Sequence, residues 1–103
     1  MAQGVLSGAA TSTGAKSAYI CPLGKPINAI LRGAAITGYL EHSFDDGTTW
    51  DEVSKNSDGA TAEYTASATD SKSVTVEPYE RAGVQLRWNI STAATGGEWE
   101  FNA

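Results

Sequence analysis

His42 is the single histidine of the chain, so a nucleophilic triad would have to be built around it. Its neighbours Glu41 and Ser43 lie in the same strand-like segment and point to the opposite face from His42, which prevents a local triad. Cys21, the single cysteine, has apolar neighbours and no adjacent basic residue that would favour a thiolate. We therefore expect His42 to be a surface or subunit-contact residue, Cys21 to be a buried small residue, and the chain not to be an enzyme.

Acidic side chains are concentrated in one short segment, at Asp45, Asp46, Asp51 and Glu52. Carboxylate oxygens are the usual ligands of calcium, but the spacing of these residues does not match an EF-hand loop. A solvated acidic turn is therefore the expected role of this segment. We predict no metal and no other cofactor.

Glu98 and Glu100 flank Trp99 near the C-terminal end of the sequence. Paired carboxylates are typical of glycoside hydrolases when they face each other across a cleft, whereas glutamates on an edge strand keep that edge soluble. Trp99 and the four tyrosines could also form a flat aromatic platform for sugars. Carbohydrate binding is therefore an alternative to ordinary packing of these rings.

The charge balance excludes several classes of partner. Seven Lys and Arg residues against twelve Asp and Glu residues give a formal charge of −5, which argues against binding to nucleic acid or to anionic lipid.

No apolar run approaches the roughly 20 residues that span a bilayer, and residues 1–10 lack the pattern of a secretory signal. We expect no nucleic acid partner and no membrane partner.

Alternation of apolar and polar residues predicts an all-β domain. In the segment 83–91, the side chains of Val84, Leu86, Trp88 and Ile90 share one face. Similar short segments recur between Gly, Pro and Asp turns, and helical periodicity is absent. The pattern predicts a small antiparallel β-sandwich or jelly-roll-like domain of seven or eight strands over residues 19–103.

Residues 1–18 differ in composition from the rest, because nearly all of them are small or polar and only Val5 and Leu6 are sizeable and apolar. This composition predicts an extended N-terminal arm that contacts a neighbouring subunit. The alternative is that Val5 and Leu6 add a strand to their own domain. Val5, Leu6 and Trp99 are the candidate partner contacts.

The segment Ser43–Trp50 carries the most specific motif, Ser-x-Asp-x-Gly-x-Thr-Trp. Asp45 can accept hydrogen bonds from backbone N–H groups across a turn, and Gly47 can adopt a positive φ without steric cost. The hydroxyls of Ser43 and Thr49 can tie the two strands together, and Trp50 can pack under the hairpin as a local core. This spacing resembles the Asp-box, which implies a fold determinant and no activity.

The same segment, followed by the stretch 77–88 with its Gln-Leu-Arg-Trp sequence, resembles a pattern in small virion proteins of tailed bacteriophages. The resemblance implies a β-sandwich that assembles on a phage particle, most readily as a capsid decoration or cement protein bound to the major capsid protein. A head-to-tail or tail component is the other virion role that it allows. It also implies a homo-oligomer, with a trimer among the allowed states, located in the virion after synthesis in the host cytoplasm.

Overall fold

The computed structural model describes residues 4–53 and 62–103, and every regular element within these ranges is a β-strand. None of the described residues forms a helix of the length and apolar character that crossing a bilayer requires. In chain order the strands are β1 (Val5–Ala9), β2 (Gly14–Ala15), β3 (Tyr19–Ile20), β4 (Ile27–Arg32), β5 (Thr37–Ser43), β6 (Asp51–Glu52), β7 (Tyr64–Thr65), β8 (Lys72–Val76), β9 (Gln85–Thr92) and β10 (Glu98–Asn102).

The strands form two antiparallel sheets, which confirms the predicted all-β sandwich. The first sheet has the order β1-β10-β4-β8. In the second sheet β9 and β5 are paired at the centre, β2 and β3 pair with β9, and β6 and β7 pair with β5. Eight of the ten described strands, β3 to β10, lie within residues 19–103, in agreement with the seven or eight predicted there, and β1 and β2 lie in the segment predicted as an arm.

The core lies between the two sheets and contains the residues that the alternation selects. The β9 side chains of Leu86, Trp88 and Ile90 are buried, and those of Gln85 and Arg87 face the outside of the second sheet. The Trp88 ring stacks on Phe101 of the first sheet, with ring centroids 6.2 Å apart. Contact between these rings joins the two layers at the centre of the domain.

The N-terminal segment is part of the sandwich over much of its described length. Strand β1 pairs with β10 along all five of its residues, and Gly14 and Ala15 pair with β9. Val5 and Leu6 therefore add a strand to their own domain, which is the second of the two interpretations of this segment. Pairing satisfies the backbone groups of β1 that face β10, and it anchors a segment whose side chains are too small to hold it by packing alone.

Strand β10 is an inner strand, because β1 covers its outer side. The sequence suggested that the glutamates of β10 lie on an edge strand, and this expectation is wrong. Both glutamates instead lie beside Arg32 of β4. The Arg32 guanidinium lies 2.5 Å from Glu100 and 3.6 Å from Glu98. The two carboxylates offset the positive charge of Arg32 on the outer face of the first sheet.

One end of the sandwich is formed by three loops, and we call it the loop end. Strands β4 and β9 begin there, and β5, β8 and β10 finish there, as the strand registers require. The loops are residues 21–26, 44–50 and 77–84. The Gly24 N–H donates to the Tyr79 carbonyl at 2.9 Å, which ties the first loop to the third.

Candidate interaction surface

The turn after β5 is held by the side chains that the motif specifies. The Ser43 hydroxyl donates to Oδ1 of Asp45 at 2.7 Å and accepts the Gly47 N–H at 2.9 Å. Oδ1 of Asp45 also accepts the Thr49 N–H at 2.8 Å. Ser43 is buried, so this hydrogen-bond network is anchored in the sheet and continues to the exposed tip of the turn. The predicted aspartate-pinned hairpin is therefore present in the structure.

Two successive residues of this turn have a positive φ, with values of 60° at Asp46 and 85° at Gly47. Left-handed backbone is accessible to Gly without cost, and Asp is among the other residues that tolerate it. The Asp46 carboxylate accepts a hydrogen bond from Nε2 of Gln85 at 2.9 Å. Asp46 is thus accommodated where glycine is commoner, and it fastens the turn to the first residue of β9.

The Trp50 ring lies outside the core, against Arg87 on the outer face of the second sheet, with the guanidinium carbon 4.0 Å from the ring centroid. Its indole N–H donates to the Gly47 carbonyl at 3.0 Å. Nε of Arg87 also donates to Oε1 of Glu41 at 2.8 Å. The expectation that Trp50 forms a core beneath the hairpin is therefore wrong, because half-buried stacking on a cation takes the place of apolar packing.

Hydrogen bonds from the Thr49 backbone and the Ser43 hydroxyl lower the pKa of Asp45 to about 2. The unfolded chain has an Asp pKa of about 3.9, so the folded state holds the carboxylate charged more readily than the unfolded state does. The stability that Asp45 contributes is therefore complete above about pH 5 and disappears as the pH falls through its folded pKa.

We expect the Asp45→Ala variant to unfold at lower urea than the parent at pH 7, and the difference between their midpoints to shrink steadily toward pH 2. Arg32 also lowers the pKa of Glu100. Because both proteins contain Glu100, the difference between their midpoints reports Asp45 alone. Urea unfolding of both proteins at pH 7, 4 and 2.5 measures it. A midpoint difference that stays constant with pH would contradict the assigned role of the carboxylate.

An aromatic cluster connects this hairpin to the third loop of the loop end. Nδ1 of His42 lies 2.7 Å from the Tyr79 hydroxyl. The Phe44 ring centroid is 4.6 Å from the His42 ring and 6.0 Å from the Tyr79 ring, and the Arg81 guanidinium lies over Phe44. Burial lowers the pKa of His42 against the opposing influence of Asp51, so the imidazole is neutral at pH 7. The histidine serves as a packing and hydrogen-bonding group within the cluster.

Four large apolar side chains of the described residues are exposed, and all four lie at the loop end. Leu23 and Phe44 belong to its loops, Ile20 pairs with the first residue of β9, and Val5 pairs with the last residue of β10. The exposed fractions are 62% for Val5, 55% for Ile20, 58% for Leu23 and 43% for Phe44. Exposed apolar groups gathered at one end of a small domain are typical of an interaction surface.

A cleft of about 370 Å³ opens between β5 and β8 beside this cluster, with Leu40, His42 and Tyr79 in its walls. Its lining also includes Val53 and Tyr64, which border the undescribed residues 54–61. The lining is mostly apolar, and the hydroxyl of Tyr79 is already bonded to His42. We assign no ligand to this cleft.

Trp99 is not available as a partner contact, because only 4% of its surface is exposed. Gly8 of β1 lies directly over its ring, and a Cβ atom at that position would be 2.7 Å from Cζ2 of the indole. Trp88 and Tyr19 are fully buried as well. The aromatic platform suggested for sugar binding therefore does not exist around Trp99. Of the three candidate contacts, Val5 is exposed and Leu6 is partly buried against the core.

Two other groups that could do chemistry are placed in structural roles. Burial raises the pKa of the Cys21 thiol to about 12, so a thiolate is strongly disfavoured at neutral pH. Within the described parts of the chain, no three His, Cys, Asp or Glu side chains come together as a metal site. Asp45 accepts a hydrogen bond from the backbone of the hairpin, and Asp46 accepts one from Gln85.

The chain was compared with protein families, with curated proteins and with solved structures. No family model, curated protein or solved structure matches it. The interaction surface thus rests on the geometry of the loop end. Sequence reasoning missed Ile20, Leu23 and Phe44. The only signal of Ile20 and Leu23 is an apolar side chain within two residues of Pro22 in a segment without alternation, and Phe44 occupies an unspecified position of the turn motif.

Proposed function

We propose that this chain is a bacteriophage structural protein that decorates or cements a capsid by seating its loop end on the major capsid protein. The observation that carries the proposal is the gathering of all exposed large apolar side chains of the described residues at that end. The likeness of Ser43–Trp50 and the stretch 77–88 to small phage virion proteins supports the same assignment.

The loop end is ordered before any partner binds, which favours a stable attachment. The hairpin is fixed by Ser43 and Asp45, and the first and third loops are joined through Gly24 and Tyr79. Since little side-chain and loop freedom is left to lose, burying Leu23 and Phe44 against a shell costs less ordering entropy. A rigid apolar surface with a polar rim is the usual anatomy of a protein interface.

The charges around the exposed apolar side chains determine which partner surfaces can bind the loop end. Arg81 covers one face of Phe44, and Lys25 follows Leu23 in the first loop, while Asp45 and Asp46 stand at the hairpin tip. Both signs are therefore present on the rim, and the partner must offer charges of both signs around an apolar centre. This arrangement favours one orientation on the shell over others.

We expect the Leu23→Asp variant to bind capsid shells about tenfold or more weakly than the parent, because it buries a charge in the apolar centre of the contact. Thr95→Asp is the matched control, since Thr95 is an exposed loop residue at the opposite end of the sandwich. The measurement is co-sedimentation with shells assembled from the major capsid protein of the phage that encodes the chain. Circular dichroism establishes that both variants keep the fold.

Unchanged binding by Leu23→Asp would contradict the assigned surface. If the parent protein fails to bind shells and binds isolated tails instead, the protein is a tail or head-to-tail component. A shift of its tryptophan fluorescence with an oligosaccharide, without binding to shells, would replace the proposal with a carbohydrate-binding function. Deleting residues 2–15 is a poor test, because the deletion removes β1 and uncovers Trp99.

A further inference from the structure

Strand β1 leaves one edge of the first sheet without a paired strand among the described residues. Proteins usually protect such edges with charged side chains, with proline or with a bulge. The residues of β1 are Val5, Leu6, Ser7, Gly8 and Ala9, and no residue from 4 to 15 is charged. This edge therefore carries none of the usual side-chain protection against strand pairing.

The other edges of the sandwich are charged, carry a nearby proline or are very short, since the outer strands of the second sheet, β2, β3, β6 and β7, have only two residues each. Strand β8, the opposite edge of the same sheet, begins with Lys72 and is followed by Pro78. Both residues of β6, Asp51 and Glu52, are acidic. The contrast within one small domain singles out β1 as the edge that can accept a further strand.

We propose that β1 pairs with β1 of a second copy of this chain, antiparallel and around a twofold axis at Ser7, to make one continuous eight-stranded sheet. An isologous contact of this kind is closed, so it gives a dimer and not a fibre. The inference concerns a different surface from the loop end and does not depend on the proposed capsid partner.

Side-chain sizes along β1 are complementary under this symmetry. With Ser7 facing its own copy, Leu6 faces Gly8 on the core side and Val5 faces Ala9 on the outer side. The largest side chain of each face thus meets the smallest one, which allows close approach of the two strands. Gly8 is itself seated on the Trp99 ring, so Leu6 of the second copy would extend the apolar layer beside that ring.

Electrostatics also favour a second copy at this edge. The chain has a net charge of −5, so two copies repel unless they meet where acidic charge is absent or balanced. Strand β1 has no charge, and on the adjacent strand Arg32 balances one of the two negative charges of Glu98 and Glu100. The β1 edge is thus a place where two chains can approach with little unfavourable charge.

The test is a charge exchange at the twofold axis. Ser7 is exposed on the outer face, so a longer side chain there leaves the core intact. We expect Ser7→Lys and Ser7→Glu to weaken self-association about tenfold or more, because like charges then face each other across the axis. An equimolar mixture of the two variants should recover a dimer, because Lys then faces Glu. Sedimentation velocity over a range of concentrations measures the self-association of each variant and of the mixture.

Ser73→Lys is the matched control, since Ser73 lies in the same cross-strand row as Ser7 on the protected edge of the same sheet. It should self-associate as the parent does. Hydrogen exchange should show protection of residues 5–9 that increases with protein concentration. A parent that is monomeric at all concentrations, or a Ser7→Lys variant that dimerises like the parent, would overturn the proposal.

Discussion

Replacing Gly33 with alanine should destabilise the protein by about 3 kcal/mol or more, from two costs that add. Gly33 has a φ of 90° in the turn between β4 and β5, and a residue with a Cβ atom loses about 1 to 2 kcal/mol in that region. The new Cβ would also overlap the backbone carbonyl oxygen of Gly96, and overpacking of this kind costs about 1 to 3 kcal/mol.

Gly83→Ala is the control that separates these two costs. Gly83 has a similar φ of 82°, but nothing lies within 4 Å of the Cβ that alanine would add. Only the backbone cost applies there, so we expect a loss of about 1 to 2 kcal/mol. Urea unfolding of both variants gives the comparison. Equal losses would show that the turns at Gly33 and Gly96 do not approach each other as closely as described.

The Trp88→Ala variant should lose about 3 to 5 kcal/mol of unfolding free energy, the range for removing a fully buried aromatic side chain. The Trp88 ring is stacked on Phe101 and meets the Tyr64 ring edge-on, with centroids 6.2 Å apart in each pair. Its removal leaves a cavity at the centre of the sandwich. If Trp88→Ala does not fold, Trp88→Phe makes a smaller change. Its free energy of unfolding should lie between those of the parent and Trp88→Ala.

Trp50→Ala is the informative comparison, because it removes the same side chain from the surface. The Trp50 ring is half-buried and stacks on Arg87, so we expect a loss of about 1 to 2 kcal/mol. Chemical unfolding, followed by far-ultraviolet circular dichroism, measures both variants. A loss at Trp50 as large as that at Trp88 would place the ring in the core, contrary to the structure.

Local signals in the sequence predicted the strands and the hairpin well. The alternation in β9 identifies the buried side chains of Leu86, Trp88 and Ile90, because side-chain direction in a strand depends only on residue parity. The motif Ser43–Trp50 predicted that Asp45 accepts a backbone N–H across the turn, since both partners lie within four residues of each other. It did not predict that the Ser43 hydroxyl bonds Asp45 and Gly47 within the turn.

Features that depend on distant pairing could not be predicted from the sequence. Trp99 is buried because Gly8, about ninety residues earlier, lies over it, and no local pattern records that register. The small residues of β1 likewise fit either a free arm or an edge strand until their partner is known. Exposure of Leu23 depends on the packing of three separate loops at the same end, which composition does not reveal.

Pairing of β1 with β10 has a consequence for the order in which this protein can fold. Val5 leaves the ribosome before its partner Asn102, which follows it almost a hundred residues later in the chain. The first sheet can therefore be completed only after β10 emerges between β1 and β4, and until then β1 has no neighbour in its own sheet to pair with. Such non-local closure is slow, and during this delay the nascent chain carries β1 as an uncharged strand without its partner.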